Sequence, residues 1–271
     1  MAKLFQAERI LPVWLDAAKQ LAANHRESRN FLLEISDPTS LTKEDRDAIK
    51  IVDKALRERA DISVNTVAAT IFPQAMYTRY GRPVFYDEFK TRMKTAKKKG
   101  TWGTYALRII ERRAKNASES INPLEQVVEK LIRASTTGHP FKAAYELGVV
   151  EPSEDLDPID SFGCELPTFD VKLDGGRVLG MPCLSHLSFK MSERKRVDLT
   201  AMYRSHYYCE RALGNLIGLS QLLKFVADES GLEVGTLTCL STHAYLDLEN
   251  WNSSKPVALK ILADVEKAMT N

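Results

Sequence analysis

From Glu210 to Val226 the chain repeats apolar residues at helical spacing, Leu213, Leu216, Ile217, Leu222, Leu223 and Phe225, with almost no polar face between them. A helix that is apolar nearly all round has no side to offer water, so it predicts a central helix enclosed by other elements. Gly214 and Gly218, four residues apart, allow a neighbour to approach closely, at about 1 kcal/mol each in helix propensity. Asn215 sits in the first turns of the same helix. A buried amide without partners costs roughly 1 to 3 kcal/mol, so Asn215 either satisfies local backbone or reads a ligand.

Strand patterns flank this helix in sequence. Cys183, Ser185, Leu187, Phe189 and Met191 alternate with His186, Ser188 and Lys190, which predicts a half-buried strand. Ser192 to Lys195 reads as its turn, and Val197, Leu199, Ala201 and Tyr203 alternate with Asp198, Thr200, Met202 and Arg204 on the way back. Such a hairpin returns Arg204 to the level of Cys183. After Gly231 and Gly235, the stretch Thr236 to Leu246 alternates again, with Cys239, Ser241, His243 and Tyr245 on one side.

Upstream, residues 7 to 24 and Thr42 to Arg59 have helical spacing, the second opening on a capping-box arrangement of Thr42 and Asp45. Phe31 to Ile35 reads as a strand, and 65 to 72 is expected to be a helix. Residues 103 to 117 and 122 to 134 are predicted helices, the latter with Asn122 as N-cap and Pro123 in the first helical position. Ser135 to Gly180, with four prolines and an acidic cluster, reads as a long functional loop or insertion. A last helix is expected from Pro256 to Met269.

The 271 residues, 44% apolar, hold no run approaching the ~18 apolar residues of a membrane span, and no secretory pattern opens the chain. A cytoplasmic protein is expected, with no membrane partner. Four cysteines, at 164, 183, 209 and 239, show neither paired nor His-Cys ligand spacing, so neither a metal site nor a disulfide framework is expected. A net charge of +2 gives no nucleic-acid surface, and the basic run Lys90 to Lys99 reads as a solvated face.

Met181-Pro182-Cys183 with Phe189 six residues after the cysteine, Tyr203-Arg204-Ser205, Asn215, the turn from Gly231 to Gly235 and His243-x-Tyr245 resemble, in order and spacing, the second half of thymidylate synthase and its pyrimidine hydroxymethylase relatives. Gly100 to Tyr105 is similar to the Tyr-Gly-containing turn of that family, and Asn122 to Leu131 to its Asp-Gln-Leu helix. The resemblance covers residues 100 to 250 of a single domain spanning 1 to 271, with 1 to 99 divergent. It implies an α/β (α+β) fold, a mixed sheet packed on the buried central helix.

The resemblance also implies a C5 methyl- or hydroxymethyltransferase acting on a pyrimidine nucleoside monophosphate, dUMP favoured, with methylenetetrahydrofolate as donor. Cys183 would attack C6, Arg204 and Ser205 hold the phosphate, Asn215 read the base edge, and His243 with Tyr245 bind the sugar hydroxyl. Tyr105 and His186 are further candidates. The paired arginines that reach the phosphate from a second subunit in the family have no clear match here, Lys142 being the nearest candidate, and a homodimer is expected because the family completes its phosphate site across a sheet-to-sheet interface.

A reactive thiolate needs its pKa lowered by nearby cations, for which Arg204, His186 and His206 are available. Some positions depart from the family pattern. Leu184 follows the cysteine where the family has histidine, Tyr207 replaces an aspartate, and Leu213-Gly214 replaces Pro-Phe. Leu240-Ser241 replaces Gly-Asp, and no acidic residue lies between Ile62 and Phe72 where the family carries a glutamate. Those departures motivate an alternative, a catalytically altered nucleotide-binding sensor or regulator on the same fold. An unrelated Cys-His hydrolase using His186 is disfavoured, because alternation puts His186 opposite Cys183.

Overall fold

The structure is a computed structural model that describes residues 2–96, 103–113, 120–137, 165–167, 182–192, 195–251 and 253–270. Strand β1 (Lys3–Ala7) leads into helix α1 (Ile10–Ala23), which buries Leu11, Trp14, Ala18 and Leu21 against the sheet and returns through β2 (Glu27–Ile35). Helix α2 (Lys43–Ala60) starts with the expected capping box: Asp45 N–H donates to the Thr42 hydroxyl, and the Asp45 carboxylate accepts from Thr42 N–H. Helices α3 (Val64–Ile71), α4 (Gln74–Tyr80), α5 (Val84–Ala96) and α6 (Tyr105–Ile110) follow, then a short pair of strands, β3 (Arg112–Arg113) and β4 (Ser120–Ile121). Helix α7 (Pro123–Thr137) is N-capped by Asn122, whose carbonyl oxygen accepts from Glu125 N–H at 3.1 Å.

The expected helix over 103 to 117 is therefore shorter. It ends at Ile110, where Glu111 turns extended (φ −136°) and Arg112 pairs with Ile121. Strand pairing overrides helical spacing there.

The remaining elements build the sheet and its central helix. They are β5 (Glu165–Pro167), β6 (Leu184–Met191), β7 (Arg196–Tyr203), β8 (His206–Tyr207), α8 (Ala212–Ser230), β9 (Glu233–Tyr245), a 3-10 turn (Leu248–Trp251) and α9 (Lys255–Thr270). The strands run in the order β1-β2-β9-β7-β6-β5, with β8 beside the end of β9. Pairings β1/β2, β7/β9 and β8/β9 are parallel and the others antiparallel, so the sheet is mixed.

One sheet face carries Phe31, Leu33 and Ile35, then Leu237 and Cys239, then Leu199, Ala201 and Tyr203, then Leu187 and Phe189, all buried, with α1 packed on β2 and α8 on β9 and β7. Helix α8 is enclosed as its pattern requires, burying both apolar rows together with Asn215 and Ser220. Its two glycines do what their spacing predicts. A Cβ on Gly214 would stand 2.6 Å from Val67 Cβ, and one on Gly218 would stand 2.6 Å from the Ala68 carbonyl oxygen, so α3 can cross α8 only because both lack side chains.

Two features of the strands differ from simple alternation. In β6, Leu184 pairs with Tyr203 but His186 pairs with Met202, leaving Ser185 as an extra residue whose hydroxyl donates to the Met202 carbonyl at 3.0 Å. This bulge puts Leu184, and not Cys183, in line with Leu187 and Phe189 on the buried face. In β9, buried positions alternate through Ser241, then Ala244 is buried while His243 and Tyr245 stay half-exposed. Asn30, near this end on β2, takes a positive φ of 53°.

Candidate functional site

The site forms where the chain leaves the hairpin and approaches α8. Cys183, half-buried just before β6, is held by its backbone: its N–H donates to the Tyr105 hydroxyl at 3.0 Å, and Leu184 N–H donates to the same oxygen at 3.3 Å. Tyr105 opens α6, whose first turn is capped by Thr104 accepting from Leu107 N–H. Across the hairpin, Arg204 N–H donates to the Cys183 carbonyl at 2.8 Å, and the Arg204 guanidinium donates to the Pro182 carbonyl. The hairpin thus brings Cys183 and Arg204 together at one level.

The parallel pairing of β7 with β9 adds the second half. Thr242 donates its hydroxyl proton to the Arg204 carbonyl at 2.9 Å, and Ser205 Oγ lies 3.5 Å from His243 Nδ1. His243 and Tyr245 hold nearly parallel rings, 12° apart at 6.4 Å, so they face the same side. Tyr207 meets Tyr245 edge-on at 6.0 Å, and the Arg26 guanidinium lies over the Tyr245 ring at 5.7 Å. Cys183, Arg204, Ser205, His243 and Tyr245 therefore form one connected set, with the exposed Tyr207 beside Tyr245.

Electrostatics at the thiol differ from the expectation. Burial pushes the Cys183 thiol up, and the positive charges of Arg204 and Arg211 pull it back only in part. Burial, reinforced by proximity to Cys183, also raises the Tyr105 hydroxyl to about 12, so it stays protonated. His206 does not supply a cation. It is 1% exposed, and burial pushes its pKa down to about 3, leaving a neutral ring at physiological pH. His186 lies inside the sheet between Pro167 and Met202, and the bulge at Ser185 removes the alternation argument that set it opposite Cys183.

Asn215 is 4% exposed, and its amide nitrogen lies 3.1 Å from His206 Nε2. His206 in turn places Nδ1 3.0 Å from the Ser241 hydroxyl and stacks on Tyr203, with ring centroids 4.0 Å apart and planes 2° apart. Tyr203 is the strand partner of Leu184, the residue after the cysteine. The path from Cys183 to Asn215 is continuous through buried rings.

Two contributors, Arg211 and Asp247, were not legible as site residues, and a third, His206, was legible only in another role. Arg211, beside the start of α8, acts on both Cys183 and Tyr105 and pairs with Glu210 at 2.5 Å. Asp247, 4% exposed, accepts from Cys209 N–H at 2.8 Å and Glu210 N–H at 3.1 Å, fixing the approach to α8. His206 was visible in the sequence only as a cation for the thiol, not as the buried partner of Asn215 and Ser241 that it is. Lys142 and Met181 lie outside the described residues.

No protein-family model matches the chain. It is 29% identical over 145 residues, 54% of its own length and 55% of the relative's, to a protein of Methanococcoides burtonii named "Putative thymidylate synthase". Proteins of the same name from Methanosarcina acetivorans (28% over 140 residues, 52% of each chain) and Methanothermobacter marburgensis (36% over 90 residues, 33% of this chain and 40% of the relative) are also similar. The chain thus aligns with about half the length of the curated relatives first matched. With its mixed sheet packed on one buried helix, the chain is thus similar, over about half its length, to proteins named as thymidylate synthases.

Proposed function

We propose that the protein is a thymidylate-synthase-like enzyme that transfers a one-carbon unit to C5 of a pyrimidine nucleoside monophosphate, dUMP favoured. One observation carries this reading: Cys183, Arg204, Ser205, His243 and Tyr245 are linked by the hairpin and the β7/β9 pairing into a single set. Arg204 and Ser205 offer a guanidinium fork and a hydroxyl, which suit a phosphate monoester. His243 and Tyr245 offer half-exposed hydrogen-bonding tips to a sugar hydroxyl.

Chemistry would begin with loss of the Cys183 proton, helped by Arg204 and Arg211. The thiolate adds to C6, so the electron pair of the 5,6 double bond moves to C5 and onto O4. With C5 carbanion-like, a one-carbon donor would supply the carbon, leave as its free amine and, for a methyl product, also supply a hydride (water adding instead for a hydroxymethyl product), while loss of the C5 proton and expulsion of the Cys183 thiolate restore the ring. Methylenetetrahydrofolate, the donor implied by the family, supplies the one-carbon unit. Tyr207, 42% exposed beside Tyr245, is the described residue with an aromatic face for such a planar cofactor.

A homodimer belongs to this proposal. On the opposite sheet face, Leu4, Leu32, Leu240 and Met202 stand in register across four strands, with Leu4 54% exposed and the other three half-buried. Pairing two such faces would cover the row. Sedimentation equilibrium tests it, and a strict monomer at micromolar concentration refutes it.

The alternative, a nucleotide-binding sensor or regulator, is favoured by α3. It carries no acidic side chain; Asn65 and Thr66 are exposed, and the Thr70 hydroxyl bonds its own helix at the Val67 carbonyl. Calorimetry with dUMP and its unphosphorylated nucleoside is the test. Binding of the monophosphate but not the nucleoside is expected, and failure to bind either would sink both readings. Binding without release of C5 tritium would select the sensor.

A further inference from the structure

A phosphate monoester carries about two negative charges at pH 7, whereas one guanidinium carries a single positive charge. A nucleotide phosphate held on Arg204 therefore more than cancels the field that Arg204 exerts on the Cys183 thiol. Binding of the substrate would oppose ionisation of its own nucleophile. No nearby histidine makes up the difference. His206 is buried and neutral between Asn215 and Ser241. His243 faces the Ser205 hydroxyl with one nitrogen and the Glu27 carboxylate, at 3.7 Å, with the other, so any charge it takes is offset there. His186, opposite Met202, belongs to the sheet face away from Tyr203. The hydroxyls of Tyr105, Tyr203 and Tyr207 also lie within electrostatic reach of the thiol, and burial raises each of them further above neutrality, so none carries charge.

Arg211 is the other described cation whose charge acts on the thiol. Its backbone fixes its place: its N–H donates to the Tyr207 carbonyl at 3.0 Å, its carbonyl accepts from Asn215 N–H at 2.8 Å, and the Asp247 carboxylate holds the N–H groups of Cys209 and Glu210 just before it. Its half-exposed guanidinium pairs with Glu210 at 2.5 Å and still acts on both Cys183 and the Tyr105 hydroxyl that holds the cysteine backbone. Arg204 is tied across the hairpin to the Cys183 and Pro182 carbonyls, whereas Arg211 stands at the start of α8. The two cations reach the thiol from different elements, so one can be spent on phosphate while the other is kept.

We infer that Arg211 is a positioning residue that acts through the thiol, keeping Cys183 ionised once a nucleotide phosphate occupies Arg204, and that it takes no part in holding the nucleotide. This rests on the reading of Cys183 as nucleophile and Arg204 as phosphate ligand. Arg204 then serves affinity and Arg211 serves the chemical step. Two measurements test the division. The first is iodoacetamide alkylation of Cys183 without nucleotide, read by mass spectrometry of its peptide across the pH range in which the thiol ionises, on the wild type, Arg211→Gln and Arg211→Lys. The midpoint should rise by about half to one pH unit in Arg211→Gln, the size expected of one half-exposed cation, and lysine should restore it to within about 0.2 unit. Equal midpoints in the wild type and Arg211→Gln, or no recovery with lysine, overturn the role.

The second measurement separates rate from affinity. In Arg211→Gln at pH 7, release of C5 tritium from labelled dUMP should fall about threefold to tenfold, the loss of thiolate that such a shift produces, while dUMP binding by calorimetry stays within about twofold of the wild type. A variant that loses affinity in step with rate, or that keeps the wild-type rate, overturns the inference. Wild-type protein that binds no dUMP or releases no tritium overturns the proposed function instead, and the alkylation profiles then still decide whether Arg211 governs the thiol.

Discussion

The buried state of His206 makes acidification a sharp perturbation. An unfolded chain binds a proton at His206 below a pKa of about 6.5, whereas the folded chain refuses it until about 3. Between these values the unfolded state holds more protons, so stability falls as the pH is lowered. The loss is complete only near pH 3, and it approaches about 1.4 kcal/mol per pH unit inside the window. From pH 7 to pH 5 the His206 contribution amounts to about 2 kcal/mol, a large share of the stability of an ordinary domain. Urea denaturation at pH 7, 6 and 5 measures it, with His206→Phe as the comparison that cancels the other histidines. The variant should start less stable by about 1 to 3 kcal/mol, since Asn215 loses its buried partner, yet lose about 2 kcal/mol less on acidification. Equal pH dependence in the two proteins would refute a neutral, proton-refusing His206.

Gly218→Ala should destabilise the protein by about 1 to 2 kcal/mol despite better helix propensity, because the added Cβ meets the Ala68 carbonyl at 2.6 Å and that backbone cannot turn aside; thermal denaturation checks it. Asp247→Ala should cost about 2 to 3 kcal/mol in urea denaturation, by removing the carboxylate that two backbone N–H groups share, while Asp247→Asn should recover part of the loss. Arg204→Gln should weaken binding of a pyrimidine monophosphate by about tenfold or more, as read by calorimetry.

The parts of this fold legible in the sequence are those whose physics is local. Leu213 to Phe225 announce an enclosed helix by periodicity alone, Thr42 and Asp45 announce a helix start, and Asn122-Pro123 announces another. Gly214 and Gly218 predict a close crossing without saying that α3 supplies it. The bulge at Ser185 was invisible, because an extra residue in a strand leaves alternation intact on both sides and changes only its phase. Strand β1 and helices α4 and α5 were not legible either. Lys3 to Ala7 is a short edge strand defined by its pairing with β2, and Val84 to Ala96 is too charged to show a clear apolar face.

At the site, the Cys183–Arg204 neighbourhood followed from the hairpin, a contact set by a turn. The Ser205–His243 and His206–Ser241 contacts join residues more than thirty apart through the parallel pairing of β7 with β9, which no local pattern encodes. Burial of His206 was hidden for the same reason. Beside Arg204-Ser205 it reads as a surface cation, and only the packed Tyr203 ring makes it a neutral element of the core.

The central claim is that Cys183 is the covalent catalyst of chemistry at C5. Exchange of C5 tritium from a labelled pyrimidine monophosphate, compared between the wild type and Cys183→Ser with dUMP binding measured alongside, tests it most directly. The account predicts tritium release by the wild type and a loss of at least about a thousandfold in the variant, equivalent to about 4 kcal/mol in transition-state free energy, with nucleotide binding retained. Release by Cys183→Ser at the wild-type rate would contradict the account.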